Sequence, residues 1–229
     1  MRDPSVGGRQ PAGVLWDLDG TLVDSESYWI EGEYALIERF GGTWTDADAL
    51  AMVGNDLVRT GEALRARGVD MSVDEIVRFL LDGVIARMGE RVPWRPGAQA
   101  LIAECLARGV PCAMVTASYR DYAQAVADAL PAGSFGAIVP GEEVSAGKPD
   151  PEGYWRAAEL LGVEAGRCVI LEDSHTGVQA AINSGMPAVA IPFIVDVPDA
   201  PGLSRVGSLE ELTVDLLGQI ADGRVVRTV

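Results

Sequence analysis

The sequence predicts an α/β protein with a doubly wound parallel sheet and an inserted α-helical segment. From residue 93 onward, apolar runs of strand length alternate with helical patterns, which is typical of parallel strands joined by crossover helices. From residue 25 to residue 92 the pattern is helical throughout, without a convincing strand. A chain of 229 residues is long enough for one domain plus an inserted one. We therefore expect a core domain of residues 1–24 and 93–229 and a helical domain of residues 25–92.

The first predicted strand, residues 14–16, ends in two aspartates. The strand reads as fully buried because no polar residue alternates with its apolar ones. Asp17 and Asp19 are spaced i, i+2, so on an extended chain their side chains point the same way, and Gly20 then lets the backbone turn. Two such carboxylates repel each other unless a cation or a shared proton relieves them, and oxygen ligands suit Mg²⁺. The alternative is an ordinary Asp-Gly turn.

The inserted segment is predicted to contain four helices. They cover residues 26–40, 46–52, 56–67 and a longer stretch from Ser72. Ser72 and Glu75 have the spacing of a capping box. We expect Gly54 and Asn55 to interrupt the helical pattern, and residues 1–12 to form a loose polar tail. The segment is either a structural bundle or a lid that closes over the carboxylates.

The core domain is predicted to alternate strands and helices to its end. The further strands are residues 110–115, 137–139, 168–171 and 188–191, and the helices are residues 97–108, 119–130, 151–161, 175–184 and a last one to about residue 220. Ser208 and Glu211 are expected to cap that last helix. Residues 196–207 are rich in Pro, Gly and Asp and are predicted to form a loop.

Composition excludes several classes of partner. The formal net charge of −16 and the pI of about 4.4 argue against nucleic acid, whose phosphates require clusters of Lys and Arg. No apolar run is long enough for a membrane span, and no signal peptide is expected. The three cysteines, Cys105, Cys112 and Cys168, are far apart in apolar patterns, which indicates buried reduced thiols. We therefore expect a cytoplasmic protein without a membrane partner.

Polar residues suited to phosphate chemistry also follow the later strands. Thr116 comes directly after a strand, where a hydroxyl and backbone N–H groups can bind a phosphate, although Thr116 or Ser118 can equally be a helix cap. Lys148 lies between Gly147 and Pro149, which restrict where its ammonium points. The alternative for this lysine is a solvated surface position.

The last polar pair, Glu172 and Asp173, follows the strand at residues 168–171. Acidic residues at this strand end can complete a metal site with Asp17, because Mg²⁺ prefers carboxylate ligands. An acidic helix N-terminus is the alternative, since Asp173 or Ser174 caps a helix well.

Taken together, these stretches resemble the four motifs of the haloacid dehalogenase (HAD) superfamily. Residues 17–23 resemble its first motif, Thr116 the second, residues 147–151 the third, and residues 172–186 the fourth. The resemblance implies a Rossmann-like core with a helical cap, similar to β-phosphoglucomutase and to phosphoglycolate phosphatase-like enzymes. It further implies a Mg²⁺-dependent phosphatase that works through an aspartyl phosphate.

The resemblance also implies a role for each site residue. Asp17 would be the nucleophile, Asp19 the proton donor and acceptor, Lys148 the shield against the substrate's charge, and Thr116 a phosphate ligand. The magnesium ligands would be Asp17, the Asp19 carbonyl and Asp173, with Glu172 binding directly or through a neighbour. The expected substrate contacts are Gly20, Thr116, Ala117, Ser118, Lys148, Trp29 and Arg59.

The implied partner is a small phosphorylated metabolite, either a sugar phosphate or a phosphoglycolate-like compound, bound by a monomer or weak dimer. A dehalogenase lacks the second aspartate, which is present here as Asp19. A phosphomutase of this family has a cap histidine twelve residues after the nucleophile, where this chain has Trp29; its single histidine is His175. The mutase remains the alternative within the family. A receiver-like signalling domain is shorter and has no use for a helical lid, and a binding protein without activity would not need every chemical position filled.

Overall fold

The computed structural model describes residues 9–53 and 55–229. The break expected at Gly54 and most of the expected polar tail therefore lie outside the described residues. The chain divides into two compact units: one comprises the chain through Val23 together with Trp94–Val229, and the other is Asp24–Pro93. Among the helices of the described ranges, none combines the length and the apolar character needed to cross a membrane.

The first unit is built on a parallel sheet, as predicted. In the described part of the chain its strands are β1 Gly13–Trp16, β2 Cys112–Val115, β3 Ala137–Val139, β4 Cys168–Glu172, β5 Ala188–Ala190 and β6 Ser204–Arg205. Their spatial order is β3-β2-β1-β4-β5-β6, and every pair is parallel. The order reverses between β1 and β4. A doubly wound sheet binds its ligands at the carboxyl ends of the strands beside such a reversal.

The register of β1 determines which residues meet at that edge. Trp16, the last residue of β1, pairs with Met114 of β2 and with Leu171 of β4. Asp17 continues the ladder by one bond, since its N–H donates to the Leu171 carbonyl at 3.1 Å. The chain positions that follow β1, β2 and β4 are therefore neighbours in space.

Helices connect the strands and also form the second unit. In chain order they are α1 Glu26–Arg39, α2 Asp46–Leu50, α3 Leu57–Ala66, α4 Val73–Glu90, α5 Ala98–Ala107, α6 Arg120–Asp128, α7 Glu152–Leu161, α8 His175–Ser184 and α9 Val214–Ala221. Helix α7 packs on β1, β2 and β3, α8 packs on β4 and β5, and α5 packs against α9, which contacts β4. The residues of β1 are all buried, which explains the strand's uninterrupted apolar pattern.

The second unit is helical, and α4 packs against both α1 and α3. The predicted capping box is confirmed: the Ser72 side chain accepts from the backbone N–H of Glu75, and the Glu75 carboxylate accepts from the backbone N–H of Ser72. The apolar stripe of α4 is buried, with Ile76, Val77, Leu80, Leu81, Val84 and Met88. This periodicity of 3.6 residues made α4 the clearest helix to predict.

Two predictions for the C-terminal part of the core are wrong. The stretch 196–207, predicted as a loop, contains β6, whose Ser204 is fully buried and pairs with Val189. A strand of two residues has no periodicity that a sequence could display. The capping box of Ser208 and Glu211 exists, but it caps a single 3₁₀ turn, whereas α9 is capped by Thr213, which accepts from Leu216 N–H.

The other elements agree with prediction to within a few residues. The second strand begins at Cys112 instead of residue 110, because the N–H of Val110 donates to the Cys105 carbonyl and so ends α5. All three cysteines, which lie in the described ranges, are free and buried, as predicted.

Candidate active site

The carboxyl end of β1 presents two aspartates and a glycine. Asp17 is buried, and Asp19 is half-buried two residues on. Gly20 adopts a φ of +87°, a region that favours glycine, and a Cβ there would lie 2.1 Å from Oδ2 of Asp173. Both the turn and the close approach of Asp173 therefore require glycine at this position.

Lys148 enters the site from the loop that follows β3. Its ammonium lies 2.5 Å from Asp17 Oδ1 and 2.6 Å from Glu172 Oε1, and it donates to the Val115 carbonyl at 3.1 Å. Only 12% of its side chain is exposed, so a solvated surface position is excluded. Lys148 is also the chain's single lysine, since every other side chain that is cationic at neutral pH is an arginine. An ammonium is a compact charge with three donors, and these three acceptors match that number.

Asp17 and Glu172, which contact this ammonium, form a cluster with a third carboxylate, that of Asp173. Asp17, Glu172 and Asp173 each place one carboxylate oxygen within 4.8 Å of the others. Burial, and then the charge of Glu172, raise the pKa of Asp17 well above its usual value, and the same two causes raise the pKa of Asp173 to about 7. Burial alone would lower the pKa of Lys148, but the charges of Asp17 and Glu172 outweigh it and leave that pKa well above the ordinary range. The cluster therefore carries more negative charge than one ammonium balances.

Glu172 is the most enclosed member of the cluster. It is fully buried, and its Oε1 accepts from the Tyr154 hydroxyl at 2.5 Å as well as from Lys148. Its Oε2 accepts from Ser174 Oγ at 3.2 Å. A Cβ at Gly177 would lie 1.9 Å from Glu172 Oε1, so glycine there makes the space that the carboxylate occupies. Glu172 thus holds the Lys148 ammonium in place within the site.

Asp173 has a different partner. Its Oδ1 accepts from the hydroxyl of Thr21, in the turn after β1, at 3.0 Å. The N-cap of α8 is Ser174, whose side chain accepts from the N–H of Gly177. Of the two capping candidates in the sequence, Ser174 makes the cap and Asp173 faces the carboxylate cluster.

The loop after β2 contributes two hydroxyl groups to the site, those of Thr116 and Ser118. Thr116 is buried, and its Oγ1 accepts from the backbone N–H of Ser118 at 2.9 Å. Ser118 Oγ in turn donates to Asp19 Oδ2 at 2.9 Å. Ala117, between them, is exposed, and its carbonyl lies 2.3 Å from where a Cβ of Gly141 would be, so Gly141 allows this close approach.

The structure brings most of the predicted site residues together in the first unit. They are Asp17, Asp19, Gly20, Thr116, Ala117, Ser118, Lys148, Glu172 and Asp173. Trp29 and Arg59 belong to the second unit, where Trp29 is buried in α1 and Arg59 is exposed in α3. Their contact with substrate stays a prediction, as do the roles assigned to the other residues.

Sequence reasoning missed four residues that support the site: Thr21, Tyr122, Tyr154 and Gly177. Tyr154 and Tyr122 lie on the apolar stripes of α7 and α6, where an aromatic residue reads as core. Thr21 and Gly177 lie inside stretches that resemble the first and fourth family motifs. Their place in these motifs is the one feature of the sequence that could have indicated a role in the site. Nothing in the pattern around Tyr122 points to Asp19.

A sequence profile of haloacid dehalogenase-like hydrolases matches residues 11–185. The chain belongs to this family. Hexitol phosphatase A of Escherichia coli strain K12 is 31% identical over 213 residues, which cover 88% of this HAD-like hydrolase and 93% of the relative. Validoxylamine A 7'-phosphate phosphatase of Streptomyces hygroscopicus subsp. limoneus is 30% identical, over 78% of this chain and 84% of the relative.

Solved structures of the family agree with the fold. The crystal structure of CbbY from Rhodobacter sphaeroides in complex with phosphate superimposes on the HAD-like hydrolase with a TM-score of 0.77 and 26% identity, over 88% of this chain and 96% of that one. The predicted α/β fold with an inserted helical domain is confirmed. The predicted enzyme class, a phosphoric monoester hydrolase, is confirmed by the family and by the phosphatases among its relatives.

Proposed function

We propose that this hydrolase is a Mg²⁺-dependent phosphatase that cleaves a small sugar or polyol phosphate through an aspartyl-phosphate intermediate. The observation that carries the proposal is the position of Asp17, at the carboxyl end of β1 and in contact with the Lys148 ammonium. A carboxylate held beside a buried cation at this edge of a doubly wound sheet is suited to attack an anionic ester.

In the first step, an Asp17 oxygen forms a bond to phosphorus while the bond from phosphorus to the ester oxygen breaks. The departing oxygen takes a proton from Asp19, which lies two residues along the same turn. Lys148 offsets the repulsion between the Asp17 carboxylate and the phosphate, both of which are negatively charged. The Thr116 side chain and the backbone N–H groups after β2 would bind the phosphoryl oxygens.

In the second step, Asp19 takes a proton from water, and the resulting oxygen nucleophile attacks the phosphorus of the aspartyl phosphate. The bond between phosphorus and Asp17 breaks, which releases inorganic phosphate and regenerates the carboxylate. Asp19 therefore acts as an acid in one step and as a base in the other, so its carboxyl group must be held in one place for both.

The residues present fit a divalent cation. Three buried carboxylates with hard oxygen donors lie close together, and burial and repulsion raise the pKa values of Asp17 and Asp173 and so disfavour their charged forms. Asp17, Asp173 and the Asp19 carbonyl would hold Mg²⁺, while Glu172, whose Oε1 already accepts from Lys148, would contribute charge. When bound, the ion neutralises the carboxylates and the phosphoryl oxygens.

These pKa shifts predict how the stability of the metal-free protein depends on pH. Asp173 has a pKa of about 7 in the folded chain, whereas an unfolded aspartate has a pKa of about 3.9. Between those values the folded state keeps a proton that the unfolded state has lost, so the free energy of unfolding falls as pH rises from about 4 to about 7. In EDTA we expect a lower denaturation midpoint at pH about 7.5 than at pH about 5, with Mg²⁺ recovering most of the difference.

Asp173→Asn is the matched variant for this measurement. It cannot ionise, so we expect a weaker dependence on pH in EDTA and less stabilisation by Mg²⁺. A wild-type midpoint that rises over the same pH range in EDTA would contradict a raised pKa for Asp173.

The proposed substrate class rests on the relatives. Hexitol phosphatase B of Escherichia coli strain K12, at 29% identity, covers 92% of this chain, and with hexitol phosphatase A it makes polyol phosphates the first class to test. A phosphoglycolate-like ester is the second class.

The direct test of the proposed function is metal-dependent release of inorganic phosphate. We expect the purified protein to hydrolyse p-nitrophenyl phosphate and at least one hexitol or hexose phosphate with Mg²⁺, and exhaustive chelation to abolish both activities. Full activity after chelation would contradict the metal assignment. With a β-hexose 1-phosphate and its bisphosphate activator we expect free phosphate; isomer formed faster than phosphate would favour the phosphomutase.

A further inference from the structure

The carboxylate of Asp19 is held on both of its oxygens by residues from the segment after β2. Ser118 Oγ donates to Oδ2 at 2.9 Å, and the hydroxyl of Tyr122 donates to Oδ1 at 2.8 Å. Ser118 lies in the loop that the sequence already indicated, whereas Tyr122 lies one helical turn further, on α6. Tyr122 is fully buried, and its phenol oxygen reaches a residue that is 103 positions away along the chain.

We propose that Tyr122 is a positioning residue that orients the Asp19 carboxyl group for proton transfer. The proposal rests on the function given above, in which Asp19 is the acid and the base. Proton transfer requires the carboxyl oxygen to lie within hydrogen-bond reach of the ester oxygen, and then of water, in the same active site. A half-buried aspartate that is free to rotate about χ1 would spend part of its time away from that position.

The segment that carries Tyr122 is itself well anchored. The Arg120 side chain donates to the Glu143 carboxylate at 2.6 Å and to the Ile138 carbonyl at 3.0 Å, while its backbone N–H donates to Glu142. The backbone N–H of Gly141 donates to the Ser118 carbonyl at 2.9 Å. These bonds tie the start of α6 and the loop before it to β3 and to the loop that follows β3.

Because α6 is fixed in this way, the Tyr122 hydroxyl is a stationary donor rather than a mobile one. A phenol on a buried ring has two side-chain torsions, and both are restricted when the ring is fully enclosed. Because Ser118 donates to one oxygen of Asp19 and Tyr122 to the other, the two bonds fix the orientation of the carboxyl plane as well as its position. A phenylalanine would fill the same volume in the core, so packing alone does not explain the hydroxyl.

The test is Tyr122→Phe, measured as kcat/KM on two phosphate esters with different leaving groups. For an alkyl ester such as glycerol 2-phosphate, the departing oxygen needs the Asp19 proton, and we expect kcat/KM to fall about tenfold, part of the ~10²–10⁴-fold that general acid catalysis supplies. For p-nitrophenyl phosphate, whose leaving group needs no proton, we expect a fall of less than about twofold. Because kcat/KM reports only the steps through formation of the aspartyl phosphate, slower hydrolysis of the intermediate does not obscure the comparison.

A merely structural role would not produce this split. If the variant loosened the core, both esters would lose activity by the same factor and the denaturation midpoint would fall with them. Tyr34→Phe is the control: it also removes a tyrosine hydroxyl that donates to an aspartate, Asp46, at 2.6 Å, but in the helical unit. We expect it to leave the ratio of the two esters unchanged. In an Asp19→Asn background, Tyr122→Phe should have little further effect on the alkyl ester, since the group it orients is gone.

The outcomes separate this proposal from the one on which it rests. An active wild type in which Tyr122→Phe leaves the alkyl ester unchanged, or slows both esters equally, overturns the role of Tyr122 and leaves the phosphatase intact. A wild type that hydrolyses no phosphate ester overturns both. A tenfold loss confined to the alkyl ester, absent in Tyr34→Phe, supports both.

Discussion

Asp17→Asn should abolish turnover and prevent any covalent intermediate from forming. The substitution keeps the size of the side chain but replaces the nucleophilic oxygen with an amide, which does not attack phosphorus. We expect a loss in kcat of at least about 10⁴-fold, in the range measured when a nucleophile is removed from other enzymes. Asp17 is also a predicted metal ligand, so the substitution removes the nucleophile and one ligand of the metal together.

Rapid quenching with substrate labelled on phosphorus measures this directly. Wild type should carry acid-stable, hydroxylamine-labile label, and Asp17→Asn should carry none. Asp128→Asn is a suitable control, because this exposed aspartate on α6 accepts a hydrogen bond from Gln124 and is not one of the site residues. Label on Asp17→Asn at the level of wild type would exclude Asp17 as the nucleophile.

Lys148→Met should have the second-largest effect, on stability as well as on activity. The ammonium contacts both Asp17 and Glu172 in a buried site, and removing one partner of a buried ion pair typically costs about 3–5 kcal/mol because the other charges are left uncompensated. We expect a lower free energy of unfolding of that order, and phosphatase activity reduced by at least about 10²-fold. The stability deficit should shrink at low pH, where the carboxylates can take up protons.

Denaturant titration at pH about 5 and about 8 measures the stability effect, and hydrolysis of p-nitrophenyl phosphate measures the activity. Lys148→Arg separates charge from shape: it restores a positive charge, but the larger guanidinium has to fit where an ammonium bonds Asp17, Glu172 and the Val115 carbonyl. We expect Lys148→Arg to recover part of the stability and little of the activity. Full activity of Lys148→Met would contradict a role for the ammonium in shielding the nucleophile.

The sequence was most informative where local pattern and chemistry coincide. The apolar run before Asp17 predicted β1, and the same reasoning placed Thr116 and Glu172 at the ends of two other strands. Parallel strands bring their carboxyl ends to one edge of the sheet, so the sequence alone predicts that these residues lie close together. The capping box at Ser72 was also readable, because its two residues are close in sequence.

The sequence alone therefore determined the α/β class, the family and the strand ends at which the candidate site lies. The tertiary structure alone decided that Lys148 is buried between Asp17 and Glu172, that Tyr122 reaches Asp19, and that β6 joins the sheet. These contacts join residues that are far apart in the chain; Lys148 and Asp17, for example, are 131 positions apart. Such contacts depend on strand order, register and the packing of helices against the sheet. No local periodicity encodes them, since a buried aromatic residue or a two-residue strand has the same local pattern whether or not it supports a catalytic group.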